Sequence, residues 1–587
     1  MIEIDVENIL PSKNILAPDT NEGFSDDDDG DDDEDYEEHV ETNDGGIKRK
    51  RTNILWKFQR QLDNEMSIEI DIKPNWKKYK SNNTRNGKKD RASTYWTKKK
   101  RGIQEEIKDI IKGLYDCGTT GALNIIYALR DKGLALESIP SQKQIYNMLS
   151  EYKKEKFGNV GMTYLELRKW CEENINKIFL SDNDGYLIDY YVSIKDQYFR
   201  VAFSTNQLIQ LSNKRDILVV DSTYKIIFQG YPLMIAGTVD FDKHFHPLAV
   251  AICTRETKDD FEFLFRSILK KVPNFCPKYL LADGADAITN GFEAVYGKPI
   301  RIMCWAHTER AVSNKLKLKN DKNETLKKQI MNDFHLLQLS FSQTKFNITY
   351  KLFKRKWERL DELGQFFDYF EKEWIHSKNF GWFEGFSPGY PSTNNALEAT
   401  NNSIKKVHTF KERIPFSQFL ERLKIILNRW SVDRQTIRLF ASVPVISDSC
   451  WLNAIEYLEK KPIIKYVESE DVYLLSSSNV DFEMYLDMLD CDQDCLSNSC
   501  EFTNDFSFDK FIEYNDSVRI VKYNVNKWKL SKCICKDYFK DLICIHILII
   551  ALSKKDSSIP EKYLDSLIGS KPRRGKKKKI GPWYDRN

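Results

Sequence analysis

The sequence predicts a mixed α/β fold, and three observations predict it. Four apolar runs of strand length, at 217–220, 233–239, 247–252 and 279–282, are each bounded by turn-forming or charged residues. Between the third and fourth, residues 258–271 place Phe261, Phe265, Ile268 and Leu269 at helical spacing. Finally, 41% apolar and 13% aromatic residues suffice for a buried core. Three strands, a helix and a further strand pack most simply as a sheet with helices laid on it. At 587 residues, roughly three to four domains are expected.

The chain opens on an acidic segment. Residues 1–46 hold 18 acidic residues and one Lys, a net of −17, so the overall charge of +3 leaves +20 on residues 47–587. Residues 26–38, DDDDGDDDEDYEE, repel one another and are expected to form a disordered tail. The basic body points to nucleic acid or another polyanion. Met1 to Leu10 lacks a basic-then-apolar signal pattern. The longest apolar stretch, 542–552, is far short of the ~20 residues a membrane span needs. No membrane association is therefore expected. Twelve cysteines, mostly scattered singly, fit a reducing compartment.

Residues 47–101 form a basic, aromatic-interleaved region, with 18 basic and 5 acidic residues over 48–101. Trp76, Lys77, Lys78 and Tyr79, and Trp96 with Lys98, Lys99, Lys100 and Arg101, combine charges for phosphate with rings for stacking. They are candidate DNA contacts; a basic linker with a few core aromatics fits the same residues. The region resembles FLYWCH-type modules but has no Cys or His between His39 and Cys117. Lys48 to Arg51 suits nuclear import, and a nuclear location is expected. Residues 102–160 turn helical: Ile107, Ile110, Ile111 and Leu114 make one stripe. A turn at 118–121 precedes Leu123, Ile126 and Leu129, and Pro140-Ser141 opens a helix with Ile145, Met148 and Leu149. A helical DNA-binding unit and ordinary helix packing both fit.

The strand at 217–220 ends in Asp221, and that at 279–282 ends in Asp283. In an open α/β sheet ligands collect beyond the carboxyl ends of strands. Two carboxylates there repel unless a cation joins them, and oxygen donors suit Mg²⁺ or Mn²⁺. Alone, an Asp ending a strand is more often a cap or turn former. Residues 392–407, STNNALEATNNSIKKV, form a helix candidate with Asn394, Glu398 and Asn402 spaced i, i+4, i+8. A solvated helix face is the plainer alternative.

Taken in order, VVDSTYK (219–225), PLMIAGTVD, HPLAVAICTRETKDDFEFLF, LLADGADAITNGF (280–292), CWAH (304–307) and NNALEATNNSIKK resemble the motifs of Mutator-like element (MULE) transposases. These are DDE transposases with a ribonuclease-H-like core, and the resemblance covers residues 199–440. It implies a catalytic triad of Asp221, Asp283 and Glu398 holding two Mg²⁺ or Mn²⁺ ions, with Asp286 a rival for the second position. It also implies accessory roles for Cys304, His307 and Asn402. The expected activity is cleavage and strand transfer at the element's terminal repeats and in target DNA, by a homo-oligomer on DNA. The alternative is a domesticated, DNA-binding transcription regulator, as in some plant factors resembling this family. Phe346, Tyr350, Phe353, Trp357 and Leu360 form a helical stripe, so residues 308–390 are expected as a helical insertion.

Near the C-terminus Cys533, Cys535, Cys544 and His546 follow the pattern C-x-C-x8-C-x-H, three thiolates and an imidazole for tetrahedral Zn²⁺. A hairpin of 517–523 with 528–530 is expected before it and a helix at 547–552 after it. This resembles the SWIM zinc finger, here residues 516–556. Residues 441–515, with Cys491, Cys495 and Cys500, read as a linker region. The basic tail 557–587 carries seven basic residues in 571–579, suited to phosphate contact, nuclear import or simple solvation.

Overall fold

The structure is a computed structural model, and it describes residues 2–3, 102–177, 181–316, 324–410, 412–477, 480, 482 and 507–564. The acidic tail, the candidate DNA contacts Trp76, Lys77, Lys78, Tyr79, Trp96, Lys98, Lys99, Lys100 and Arg101, the cysteines at 491, 495 and 500, and the basic segment 571–579 lie outside the described residues.

Three helices open the described chain: α1 (Glu105–Asp116), α2 (Ala122–Asp131) and α3 (Gln142–Phe157). They share a small core of Ile107, Ile111, Ile125, Leu129, Ile145 and Leu149. Ile125 takes the inward place expected for Leu123, which is 45% exposed. Ser141 caps α3 through a reciprocal box with Gln144, which satisfies donors that a helix start otherwise leaves unpaired. A fourth helix, α4 (Tyr164–Ile175), leads into the central sheet.

A two-residue strand, β1 (Ile2–Glu3), belongs to a separate sheet described below. The central sheet holds β2 (Tyr186–Ser193), β3 (Tyr198–Ser204), β4 (Ile217–Thr223), β5 (Leu233–Val239), β6 (Phe245–Cys253), β7 (Tyr279–Ala282) and β8 (Ile300–Met303). Its order is β2-β3-β6-β5-β4-β7-β8. The pairs β4–β7 and β7–β8 are parallel and the others antiparallel. All four expected strands are present, and β2, β3 and β8 extend the sheet beyond them. Every residue of β5 and β6 is buried. Successive side chains of a strand point to opposite faces, so the sheet centre is covered on both.

Helix α5 (Lys258–Lys271) buries Phe261, Leu264, Phe265 and Ile268 against the sheet, and α6 (Asp286–Tyr296) lies beside it. A Cβ built on Gly291 of α6 would stand 2.8 Å from Phe261 Cβ and 3.0 Å from the Lys258 carbonyl oxygen of α5. The two helices approach closely only because that atom is missing. Gly291→Val is therefore expected to destabilise the protein by about 1–3 kcal/mol through overpacking, despite removing a helical glycine. An unchanged urea midpoint would contradict this reading of the contact.

The expected insertion is helical: α7 (Trp305–Lys315), α8 (Glu324–Gln338), α9 (Gln343–Trp357) and α10 (Gly364–Phe370), the last continued by a π-helical turn, Glu371–Ile375. Phe334, Phe346, Phe353, Phe370 and Trp382 fill its core. Leu360 falls beyond the end of α9 and is 37% exposed, so the stripe stops one turn earlier than its spacing suggested. Backbone bonds from Met303 N to Gly381 O (2.9 Å) and Trp305 N to Ser392 O (2.7 Å) bring the insertion's two ends together. The chain returns through α11 (Asn395–Ser403), a π-helical turn Ile404–His408, and α12 (Phe416–Thr436). Helix α12 adds Phe419, Leu420, Leu423 and Leu427 to the sheet's core.

The C-terminal region contains α13 (Asp448–Glu459), β9 (Ile463–Val467), β10 (Val472–Ser476), α14 (Phe508–Ser517), β11 (Arg519–Lys522), β12 (Lys532–Cys533), α15 (Lys536–Asp541) and α16 (Ile545–Ser553). Its sheet runs β1-β9-β10-β11-β12, antiparallel throughout. Two expectations change here. Part of the 441–515 linker is folded, because α13, β9 and β10 build the layer against which the finger packs. The partner of β11 is Lys532–Cys533, while Trp528–Leu530 forms a 3₁₀ turn. Among the described residues no helix is long and apolar enough to cross a membrane.

Candidate active site

Parallel pairing of β4 with β7 matches Leu218 to Leu280 and Val219 to Leu281. Continued by two residues, that register brings Asp221 level with Asp283 at the carboxyl ends of neighbouring strands. Asp283 turns the chain, its carboxylate accepting from Ala285 N at 3.0 Å. The buried Arg301 of β8 braces this turn, donating to the carbonyls of Ala282 (3.2 Å) and Asp283. Burial pushes its guanidinium down to about 10, with the charge of Asp283 opposing. The rival Asp286 starts α6, is mostly exposed and pairs with Lys378.

Helix α11 is fastened over the end of β4 by Asn394, whose backbone N donates to Cys304 Sγ (3.3 Å) and whose side-chain amide reaches Val220 O (3.5 Å). Glu398 and Asn401 project from the same face. Asn401 Nδ2 donates to Asp221 Oδ2 at 2.9 Å, whereas Asn402 is exposed. The expected i, i+4, i+8 stripe drifts because four residues turn a helix by about 400°, roughly 40° too far each time. By Asn402 it has left the cleft, and Asn401 takes the place.

Asp221 feels the other two acids. Burial first, then the negative charges of Asp283 and Glu398, push its carboxyl up from 3.8 to about 7. The sign of the consequence is fixed. Between pH 4 and 7 the folded chain holds a proton that the unfolded chain has released, so this group lowers stability as pH rises through that window. The loss is on the order of 4 kcal/mol at most. Without added Mg²⁺ or Mn²⁺ and with zinc retained, unsubstituted protein is expected to lose stability relative to Asp221→Asn between pH 4 and 7, and millimolar Mg²⁺ should close the gap. A constant difference across that range would show that Asp221 does not carry the proton.

Beside the acids, Cys304, His307 and Glu398 place ligand-capable atoms within 4.8 Å of one another. Cys304 is fully buried, and a hydrogen bond from the imidazolium to its sulfur is the main influence raising His307. His307 Nδ1 and Asn401 Oδ1 are buried without hydrogen-bond partners. Lys405 lies near both Asp221 and Lys225, its ammonium pushed down by burial and by Lys225. Of these residues the sequence pattern did not single out Asn401, Arg301 or Lys225. The lone Arg in the apolar run IRIM (300–303) was the available signal for Arg301.

A second cluster lies in the C-terminal region. Cys533, Cys535, Cys544 and His546 are all buried, with ligand atoms within 4.8 Å of one another. His546 Nδ1 stands 3.8 Å from both Cys533 Sγ and Cys544 Sγ. A zinc tetrahedron with Zn–S about 2.3 Å and Zn–N about 2.0 Å has S–N edges of about 3.5 Å, so the four donors fit one ion. Cys535 caps α15, with Sγ accepting from Tyr538 N at 3.4 Å. Hydrogen bonds from Cys533 and Cys544 hold its thiol well below the usual range. The buried Cys3His set thus fits structural zinc.

Neighbouring parallel strands thus end in carboxylates, and a helix laid over them adds a third. Residues 217–310 match the family model of the MULE transposase domain. This match to a MULE transposase domain supports a transposase-related function, and the Cys3His cluster is consistent with a SWIM-type finger. The match spans β4 through the first turns of α7, taking in Asp221, Asp283, Cys304 and His307 and ending before Glu398. No curated protein matches the chain.

Proposed function

We propose that the protein is a DNA transposase with a ribonuclease-H-like core, cutting and joining DNA strands at a metal site made by Asp221, Asp283 and Glu398. The observation that carries this reading is the approach of the three acids: burial first, then the charges of Asp283 and Glu398, raise Asp221 to about 7. Within the seven-stranded sheet, the antiparallel run β6-β5-β4 continued by parallel β7 and β8, with acids at the ends of β4 and β7, supports the core assignment. The donor set is hard oxygen and fits Mg²⁺ or Mn²⁺. Bound there, a pair of such ions would activate water or a 3′-hydroxyl and stabilise the leaving oxygen.

The chain's own residues supply the geometry. Asn401 orients the Asp221 carboxylate, and Arg301 fixes the turn that presents Asp283. Lys225 and Lys405 put positive charge beside the acids, where a DNA backbone phosphate has to lie. The substrate is element terminal repeats and target DNA, held by a homo-oligomer in the nucleus. Purified protein given its element's terminal DNA in Mg²⁺ or Mn²⁺ should nick one strand at the element boundary. Binding of that DNA with no cleavage in either metal would replace the enzyme with a DNA-binding regulator.

A further inference from the structure

Behind α11 lies a second cavity, of about 830 Å³. Ala396, Ala399, Thr400 and Ser403 of α11 line it. At about 100° per residue these four share one face, and Glu398 and Asn401 fall on the opposite one. The far wall comes from the central sheet and α12. His246 of β6 is 1% exposed and Arg434 of α12 is 5% exposed.

Each of these two residues has a buried nitrogen without a partner, His246 Nδ1 and Arg434 Nε. His246 Nε2 is taken by Asp240 at 3.0 Å. Arg434 spends its other nitrogens on the carbonyls of Trp430 (3.4 Å) and Phe245 (3.1 Å). Its hydrogen bonds go to neutral carbonyls, and burial and Arg438 push the guanidinium down to about 10 against the charge of Asp433, so a bound anion would steady it. The one acid in the lining, Asp242, accepts from Val445 N at 2.7 Å.

The rest of the lining carries Lys243 and Arg438 beside an aromatic stretch. The His246 and Phe440 rings face each other at 4.8 Å, Trp430 lies in the lining, and Leu439 at the rim is 63% exposed. The volume falls within the roughly 300–1,000 Å³ of small-ligand pockets, and a DNA duplex is too wide to enter. A small anion joined to an aromatic ring fits both halves of the lining.

We propose that this cavity binds a single nucleotide unit, with its phosphate on Arg434 and its base against the aromatic wall. The nucleotide arrives either as a free nucleoside monophosphate or as the unpaired end of a DNA strand; the second source alone rests on the transposase reading. Its sugar side meets Ala399 and Thr400, so an occupied cavity presses on the helix that carries Glu398.

The test is calorimetric titration of the zinc-loaded full chain without added Mg²⁺ or Mn²⁺, where no cleavage occurs, so a failed transposase reading leaves it intact. Inorganic phosphate, deoxyadenosine, deoxyadenosine monophosphate, a blunt duplex and the same duplex with one unpaired terminal nucleotide are compared. The monophosphate is expected to bind at least tenfold tighter than phosphate or deoxyadenosine. Tighter binding of the overhang than of the blunt duplex would identify the strand end as the source; equal binding would identify the free nucleotide. Ala399→Phe, which fills the cavity, and Arg434→Gln should each weaken the monophosphate at least tenfold. A melting curve on each variant checks folding, and Ala399→Phe tests the cavity with the buried arginine intact. No heat with the monophosphate, affinity no better than phosphate alone, or full affinity in Ala399→Phe would overturn the proposal.

Discussion

Asp221→Asn is expected to lower DNA cleavage by on the order of 10³-fold or more while leaving DNA affinity within a few-fold of the unsubstituted chain. The substitution keeps the shape and the hydrogen-bonding reach toward Asn401 but removes the negative charge at the centre of the cluster. Glu398→Gln should behave alike, because its charge acts on the same carboxyl from α11. Asp221→Cys sharpens the test. A thiolate accepts Mn²⁺ better than Mg²⁺, so partial return of cleavage in Mn²⁺ alone would assign the position to a metal ligand. Strand-nicking and anisotropy measurements on the same preparations separate chemistry from binding. Undiminished cleavage by Asp221→Asn would sink the proposed triad.

Removing zinc from the C-terminal cluster is expected to unfold that region without dissolving the central sheet. Structural zinc sites contribute on the order of 10 kcal/mol to folding. Here the four donors anchor a core that includes Tyr538, Phe539 and residues 547–552. Cys535→Ser and His546→Ala should each abolish retention of about one zinc per chain. Amide exchange in α15, α16 and β12 should accelerate far more than in β4, β5 and β6. Lys243 reaches from the β5–β6 loop to the Phe539 carbonyl, so exchange in that loop should rise too. Unchanged zinc content in both variants would remove these residues as ligands.

How much of this was legible in the sequence depends on how local each signal is. Four strands could be read because β5 and β6 lie at the sheet centre, where both faces are covered and the sequence is continuously apolar. Strands β2 and β3 were not read, because Asp189, Tyr191 and Arg200, which share one face of this outer pair, break up the apolar pattern. β8 is four residues long and carries a buried Arg, which looks like surface until the Asp283 turn it braces is known. Asp221, Asp283 and Glu398 could be named from their motifs, but their mutual approach is a product of β4–β7 register and of Asn394 fastening α11. Asn401 was missed for Asn402 because a four-residue rule ignores the helix's drift. The zinc ligands were legible in full, since their spacing within 14 residues already constrains them. The sheet beneath them was not, because β9 and β10 flank the charged turn at 468–471 and meet β11 only across a long sequence gap.

The apolar core of the insertion has a consequence of its own. Phe334, Phe353 and Phe370 share one cluster with Val467, Leu474, Phe508, Phe511 and Val518, which come from the C-terminal sheet and α14. Because the insertion leaves and rejoins the chain at one neck, it looks like an appendage that could be clipped away and the ends sealed. Clipping it would strip the roof from the zinc-bearing sheet and bare an aromatic face to water. The excursion between Met303 and Asn394 is thus the mortar between two halves of the chain, and the carboxylate cleft sits where that mortar meets the first of them.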